Sequence, residues 1–365
     1  MRNKVIMLSV CALALAMPLA AQRPAPASMP GNFTFIPKAD LEAMMGPTRG
    51  DRAVRVVPIA GGAQLGAFIL HYEKMKAEGP NSFYHGEIDE LYYVIRGEGT
   101  ALLGGELENN PVWNDPSALN FKTITGPTAS GRMKGYTMQK WSAGDVIIVP
   151  AGVPHMIGWE VTVPNDILRV VVDPKSRLNK ISSRAEAVAQ AGLQAPAPTQ
   201  PAAAPRPAAP NMPGTFTYIP KADLEALMKG NIGDTPARVV PTANGSKLGA
   251  FVLHMEPRKH AGGPVTSFYH SEVTELYYVV RGGGTAMMGG ELEKATWDDS
   301  NSASIRNVRG PSVNGTMKNA QQMKFAAGDA FIVTPGIPHS VTYEVNETTD
   351  IIRVVVDPKG SLTLK

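Results

Sequence analysis

Cysteine is almost missing: the only one, Cys11, sits in an N-terminal apolar stretch. The body of the chain therefore has no disulfide, no thiolate nucleophile and no cysteine metal ligand. Charge is also sparse, at 18% of residues, with 35 basic side chains against 32 acidic ones. Setting aside Arg2 and Lys4, which fall in a segment expected to be removed, leaves 33 against 32. A balance this even removes the electrostatic case for nucleic acid or an anionic membrane surface. Long hydrophobic runs are lacking too. The one candidate, Val5 to Met17, is short for a bilayer-spanning helix. No G-x-S-x-G elbow, H-E-x-x-H pair, Walker A loop or dinucleotide fingerprint occurs, which leaves the usual hydrolase and nucleotide chemistries unsupported.

What is present points to turn-rich β structure. Thirty-six glycines and 31 prolines accompany a hydrophobic content of 43%, enough for packed cores across 365 residues. At the N-terminus, Arg2 and Lys4 precede the apolar run, and Leu19-Ala20-Ala21 offers a small-residue cleavage zone. Residues 1–21 thus read as a secretory signal, giving a periplasmic or secreted protein with no membrane attachment after its removal.

The remainder is one unit written twice. MPGNFTFIPKADLEAMM from Met29 returns as MPGTFTYIPKADLEALM from Met212, and DILRVVVDPK from Asp166 returns as DIIRVVVDPK from Asp350. SFYHGEIDELYYVIRGEGTALLGGELE likewise returns as SFYHSEVTELYYVVRGGGTAMMGGELE. The layout is a first domain over 29–180, a linker over 181–211 and a second domain over 212–365. Arg184 to Pro210 is mainly alanine and proline and reads as an extended, semi-rigid spacer. Each copy opens with a short helix, Pro37 to Met45 closed by Gly46, and Pro220 to Lys229. The apolar runs that follow, Gly66–Leu70, Leu91–Ile95, Val146–Val149 and Ile167–Val172, are β-branched or aromatic and bounded by turn residues, as strands are.

Two motifs in each copy resemble the signatures of the cupin superfamily. His85, Glu90 and Gly97 match the first signature, as do His270, Glu275 and Gly282. GDVIIVPAGVPH, with Gly144, Pro150, Gly152 and His155, matches the second, and GDAFIVTPGIPH repeats it with Gly328, Gly336 and His339. The resemblance implies an all-β fold: two tandem cupin barrels of the jelly-roll or double-stranded β-helix type, each with a short N-terminal helix. It also implies two metal sites, His85–Glu90–His155 and His270–Glu275–His339. The family's first histidine is replaced by Phe83 and Phe268. Position 83 shares a strand face with His85, and a tight turn through Gly86–Asp89 is expected to return Glu90 on the adjacent strand, with Tyr92 on its face. Tyr92 and Tyr277 are therefore the candidate proton-handling residues. In the second copy the signature proline is shifted to Pro335, which is expected to tilt His339.

Two imidazoles and a carboxylate form the donor set of a facial triad and suit Fe, Mn, Ni, Cu or Zn as a divalent cofactor. The expected activity is that of an exported, metal-dependent bicupin acting on a small molecule, with dioxygenase-like chemistry ahead of decarboxylase, lyase or isomerase chemistry. The alternative is a non-catalytic, ligand-binding or structural cupin without metal. The expected partners are a small-molecule ligand and the second barrel of the same chain, with pairing to a further copy of the chain left open and no nucleic acid. His71 and His254, at matching strand positions, read as structural, and Glu87 and Glu272 as solvated turn residues.

Overall fold

The short β-branched runs between turn residues become antiparallel strands, laid down in the same order in both repeats. The computed structural model describes residues 33–46, 49–108, 111–193, 215–229, 231–242 and 245–365. The expected signal segment and most of the Ala/Pro spacer lie outside the described residues.

The first repeat opens with β1 (Thr34–Ile36) and α1 (Lys38–Glu42), followed by β2 (Gly50–Pro58), β3 (Gln64–Tyr72) and β4 (Met75–Lys76). Next come β5 (Asn81–His85), the long β6 (Asp89–Leu103), β7 (Glu106–Leu107) and β8 (Val112–Trp113). A single π-helical turn, Phe121–Thr125, leads into β9 (Thr128–Lys134), β10 (Thr137–Ser142), β11 (Val146–Val149) and β12 (His155–Asp173). After α2 (Arg184–Leu193), the second repeat runs β13 (Thr217–Ile219), α3 (Lys221–Met228), β14 (Gly233–Pro241), β15 (Lys247–Met255) and β16 (Thr266–His270). It finishes with β17 (Thr274–Met288), β18 (Glu291–Trp297), the π-turn Ile305–Arg309, β19 (Ser312–Lys318), β20 (Gln321–Ala326), β21 (Ala330–Val333) and β22 (His339–Asp357).

The long strands β6 and β12, and their counterparts β17 and β22, pair along their length and bend at register shifts. Bending curls each sheet around its own apolar interior. Gly97 serves one such bend. It has φ +88°, and a Cβ there would stand 2.4 Å from the Asn165 Cβ. Only glycine fits that backbone.

The leading strands exchange. Strand β1 pairs with β21 of the second barrel, and β13 pairs with β11 of the first. Each seam is locked by the glycine-aspartate pair that opens the second signature. The Lys221 N–H donates to Asp145 Oδ1 at 2.7 Å, and the Lys38 N–H donates to Asp329 Oδ1 at 2.7 Å. Gly144 and Gly328, at φ +96° and +92°, lie under the stems of Lys221 and Lys38. The carboxylates thus satisfy amides at the start of the other repeat's helix. A shared apolar cluster follows, running from Ile36, Leu41 and Val170 to Leu276, Tyr278 and Ile352.

Two sequence expectations change. The spacer is not extended from its start, because Arg184–Leu193 is helical and its Ala187 is buried. Alanine has the best helix propensity, and a capping arrangement starts the helix. The Ser183 Oγ accepts from the Glu186 N–H, and Glu186 accepts from the Ser182 N–H at 2.7 Å. Secondly, Glu90 is not on the strand beside His85: β12 lies between β5 and β6. The Gly86 N–H is taken by the Pro127 carbonyl at 2.7 Å, so the connection crosses the barrel and forms no hairpin.

Candidate functional site

Three strands bring the expected ligands together. His85 ends β5, Glu90 lies near the start of β6 and His155 begins β12; His270, Glu275 and His339 do the same on β16, β17 and β22. All six are at most 2% exposed, and the ligating atoms of each trio lie within 4.8 Å of one another.

The hydrogen bonds around each imidazole fix where its proton sits. His85 Nδ1 donates to Thr128 Oγ1 at 2.8 Å, because that hydroxyl gives its own proton to the Thr125 carbonyl at 3.0 Å. His155 Nδ1 donates to the Val153 carbonyl at 2.9 Å. In the second barrel, His270 Nδ1 meets Ser312 Oγ at 3.0 Å, and His339 Nδ1 meets the Ile337 carbonyl at 2.9 Å. The shifted Pro335 therefore leaves His339 placed as His155 is, contrary to the expected tilt. With protons on Nδ1, every Nε2 presents a lone pair to the barrel centre.

Those lone pairs face another lone-pair group. His85 Nε2 is 3.2 Å from Glu90 Oε1, and His155 Nε2 is 2.9 Å from Glu90 Oε2. The second barrel gives 2.9 Å for His270 to Glu275 and 3.2 Å for His339 to Glu275. Glu90 Oε2, His270 Nε2 and His339 Nε2 are buried without a hydrogen-bond partner. Neutral imidazoles facing an ionised carboxylate repel unless a cation sits among them. Donors about 2.1 Å from one metal and at right angles around it stand about 3.0 Å apart, which these spacings match. The residues fit a divalent metal.

Protonation agrees. Burial lowers His85 below its ordinary value and lowers His270 to about 4, so both are neutral near pH 7. Burial alone would raise Glu90, but the Arg169 guanidinium holds it well below the carboxylate range; Arg353 does the same for Glu275. Burial and the nearby carboxylate push the Tyr92 and Tyr277 phenols well above their usual range, so both stay protonated. The Tyr92 hydroxyl donates to His155 Nε2 at 3.3 Å, whereas the Tyr277 hydroxyl donates to Glu275 Oε2 at 2.7 Å.

The sequence reading missed the arginine behind each carboxylate. Arg169 Nε and Nη2 both reach Glu90 Oε1 at 2.5 Å, while Nη1 donates to Asp51 Oδ2 at 2.6 Å. Arg353 contacts Glu275 and Asp234 in the same way. One guanidinium serves two carboxylates, and burial raises Asp51 and Asp234 to about 6. A signal existed in the sequence: an arginine recurs inside the apolar strand LRVVVD and again inside IRVVVD.

Phe83 points inward as expected, its ring centroid 5.2 Å from that of His85 and 4.8 Å from that of His155. Beside it a cavity of about 220 Å³ opens, lined by Arg49, Asp51, Tyr72, Tyr92, Thr125 and other residues. His71 is outside the site: its ring nitrogens face Asp166 at 2.8 Å and Glu73 at 3.1 Å. His254 repeats this with Asp350 and Glu256. Glu87 and Glu272 pair with Arg177 and Lys359 at the surface.

No family model matches the chain, and no curated protein matches it. Among solved structures, it resembles the oxalate decarboxylase of Lactobacillus farciminis at 15% identity and TM-score 0.43, covering 92% of this chain and 88% of that one. It also resembles the salicylate 1,2-dioxygenase of Pseudaminobacter salicylatoxidans at 12% identity and TM-score 0.47, over 96% and 90% of the two chains. A cupin 2 conserved barrel domain protein from Leptotrichia buccalis is similar at 11% identity and TM-score 0.38, over 87% and 92%. The fold assignment rests on this chain's own register: both signatures, in both repeats, place their histidines and glutamate inside a curled antiparallel sheet. In fold, the chain is a pair of curled antiparallel barrels that resembles the bicupins. Each barrel carries its own His–Glu–His group, and both groups lie inside the walls.

Proposed function

We propose that this bicupin is an exported, metal-dependent enzyme whose first barrel performs dioxygenase-like chemistry on a small anionic molecule. The observation that carries the metal is the set of buried lone pairs on the two Nε2 atoms and the glutamate, with every imidazole proton committed elsewhere. His85, Glu90 and His155 would hold the metal, and the second trio would hold another. A divalent metal there supplies Lewis acidity and, in its redox-active forms, a place where substrate and dioxygen meet.

The chain's own residues set the rest. Phe83 stands where the family has a fourth ligand, so the donor set stays at three and the ring keeps the open side dry. Arg169 takes up Glu90 Oε1, which turns Oε2 inward. Once His155 Nε2 serves as a ligand, the Tyr92 hydroxyl loses that acceptor. Its proton is then available at the cavity wall, to a substrate oxygen or to Glu90. Arg49, over the Tyr72 ring at 5.4 Å, gives the mouth a cation suited to a carboxylate. A volume near 220 Å³ suits a molecule smaller than the usual drug-sized ligand. Export is supported by the charged, apolar and small-residue order of residues 1–21.

The test is elemental analysis of protein purified without chelators, with oxygen uptake measured over a panel of small carboxylates. Two metals per chain are expected, falling to one in His155→Ala. Equal, low metal in wild type and variant would end the metalloenzyme reading and leave a metal-free ligand-binding barrel.

A further inference from the structure

The deep interiors of the two barrels match, but one pair of residues at the mouth has changed together. In the first barrel, Asn114 Nδ2 donates to Thr125 Oγ1 at 3.2 Å and to the Gly126 carbonyl at 2.8 Å. The matching positions in the second barrel are Asp298 and Arg309. Register fixes the correspondence: Trp113 pairs with Ala129 on β9 and Trp297 with Val313 on β19, each just ahead of the residue in question. The carbonyls of Ile124 and Val308, one residue before Thr125 and Arg309, both accept from the buried arginine.

The neutral pair has become an ion pair. Arg309 Nη1 lies 3.9 Å from Asp298 Oδ2, and Asn314 donates to Asp298 Oδ1. The Arg309 guanidinium carbon lies 4.1 Å from the Phe268 ring centroid. That ring lies 4.9 Å from the His339 ring. In the first barrel, the space bounded by Thr125, Phe83 and His85 is the open cavity. A guanidinium over the matching phenylalanine fills that space, held by cation–π attraction on one side and Asp298 on the other. The first mouth has a cation of a different origin, Arg49, which lies over Tyr72 at the rim. The second barrel has Ile232 and Met255 at those two positions.

We infer that Arg309 closes the mouth of the second barrel. The first site then admits an aromatic-carboxylate-sized ligand, while the second admits nothing larger than a small inorganic anion. The inference rests on the proposed metal sites only for its spectroscopic readout.

The experiment uses the full chain loaded with Co²⁺, with His339→Ala leaving only the first site filled and His155→Ala only the second. Benzoate and azide serve as probes of the cobalt visible bands. Azide is expected to perturb both single-site forms. Benzoate should perturb only the first, with at least a tenfold difference in apparent Kd. Arg309→Thr should let benzoate reach the second site, and Asn114→Asp/Thr125→Arg should shut it out of the first.

Equal benzoate binding at both wild-type sites overturns the inference. So does weaker benzoate binding in Arg309→Thr, which would make Arg309 a carboxylate receptor. If neither barrel binds cobalt, the proposed function fails, and calorimetry then decides the mouth separately. One benzoate per wild-type chain, two in Arg309→Thr and none in the double variant are expected; two or none in wild type would refute closure.

Discussion

Apart from the tyrosine hydroxyl, which meets His155 in one and Glu275 in the other, the two barrels agree where side chains are buried around the glutamate and differ where they meet solvent or each other. Histidine protons, the arginine behind the carboxylate and the inward phenylalanine match position for position. The mouths differ in charge and origin, and the seams differ by a hydroxyl: Tyr218 of β13 bonds Asp145 at 2.8 Å, whereas β1 has Phe35 at that position. Buried polar groups explain the asymmetry. Changing one member of a packed network strands the others at a cost of several kcal/mol, whereas a rim residue changes for a few tenths. The interior is locked as a unit, and the rim is where the copies were free to take separate tasks.

The largest effect that breaks this equivalence should come from the buried guanidinium. Arg169→Met leaves the Glu90 and Asp51 carboxylates buried without their shared cation, and about 3–5 kcal/mol of stability is expected to go. Arg353→Met should cost the same within error, since Arg353 makes the same contacts with Glu275 and Asp234. Urea unfolding of the metal-free full chain measures both. A difference beyond 2 kcal/mol (about the context spread of such terms) would show that the interiors are not energetically equal.

That arginine also marks the limit of what the sequence disclosed. The candidate ligands were legible because a histidine, a glutamate and a later histidine recur at the same spacing within a visible duplication. Arg169 was harder to see, since charge inside an apolar strand has meaning only once Glu90 of β6 is known to pair with Val171 of β12, two residues beyond Arg169. The strand types were legible from their β-branched runs, but their partners were not. Nothing local in Phe33–Ile36 says that β1 joins the distant barrel, because pairing is settled by a shared core and by Asp329. The helix Arg184–Leu193 was hidden by its alanine- and proline-rich surroundings, although Ser183 and Glu186 carry a capping signal.

A smaller effect should appear as pH dependence. Burial raises Asp51 and Asp234 to about 6 from 3.8, so between those values the folded chain binds protons that the unfolded chain has released. These two aspartates therefore make stability fall as pH rises from about 4 to about 6, against the rise that the lowered His85 and His270 give over the same range. The two side chains are 18% and 25% exposed, and each contributes at most about 3 kcal/mol to that fall. Asp51→Asn and Asp234→Asn should each turn the change in stability between pH 4.5 and pH 7 upward by that aspartate's share, as read from unfolding at pH 4.5, 5.5 and 7. A pH dependence identical to wild type in both variants would show that the aspartates do not titrate in this range.

The smallest expected effect lies at the seam and sharpens the comparison in both directions. Asp145 Oδ2 accepts the Tyr218 hydroxyl as well as the Ser142 N–H, whereas Asp329 Oδ2 has the Ala326 N–H and faces Phe35's strand without a phenol. Tyr218→Phe should cost about 0.5–1.5 kcal/mol, the usual net worth of one hydrogen bond, with slightly more because the acceptor is charged. Phe35→Tyr places the missing hydroxyl opposite Asp329 and should return a similar amount to the second seam. Hydrogen exchange of the β11 and β21 amides reads each seam separately, so a local gain and a local loss are visible even where global stability barely moves. If Phe35→Tyr leaves β21 exchange unchanged while Tyr218→Phe loosens β11, the hydroxyl matters only where the surrounding strand already accommodates it. The seams would then differ in backbone placement as well as in side chain.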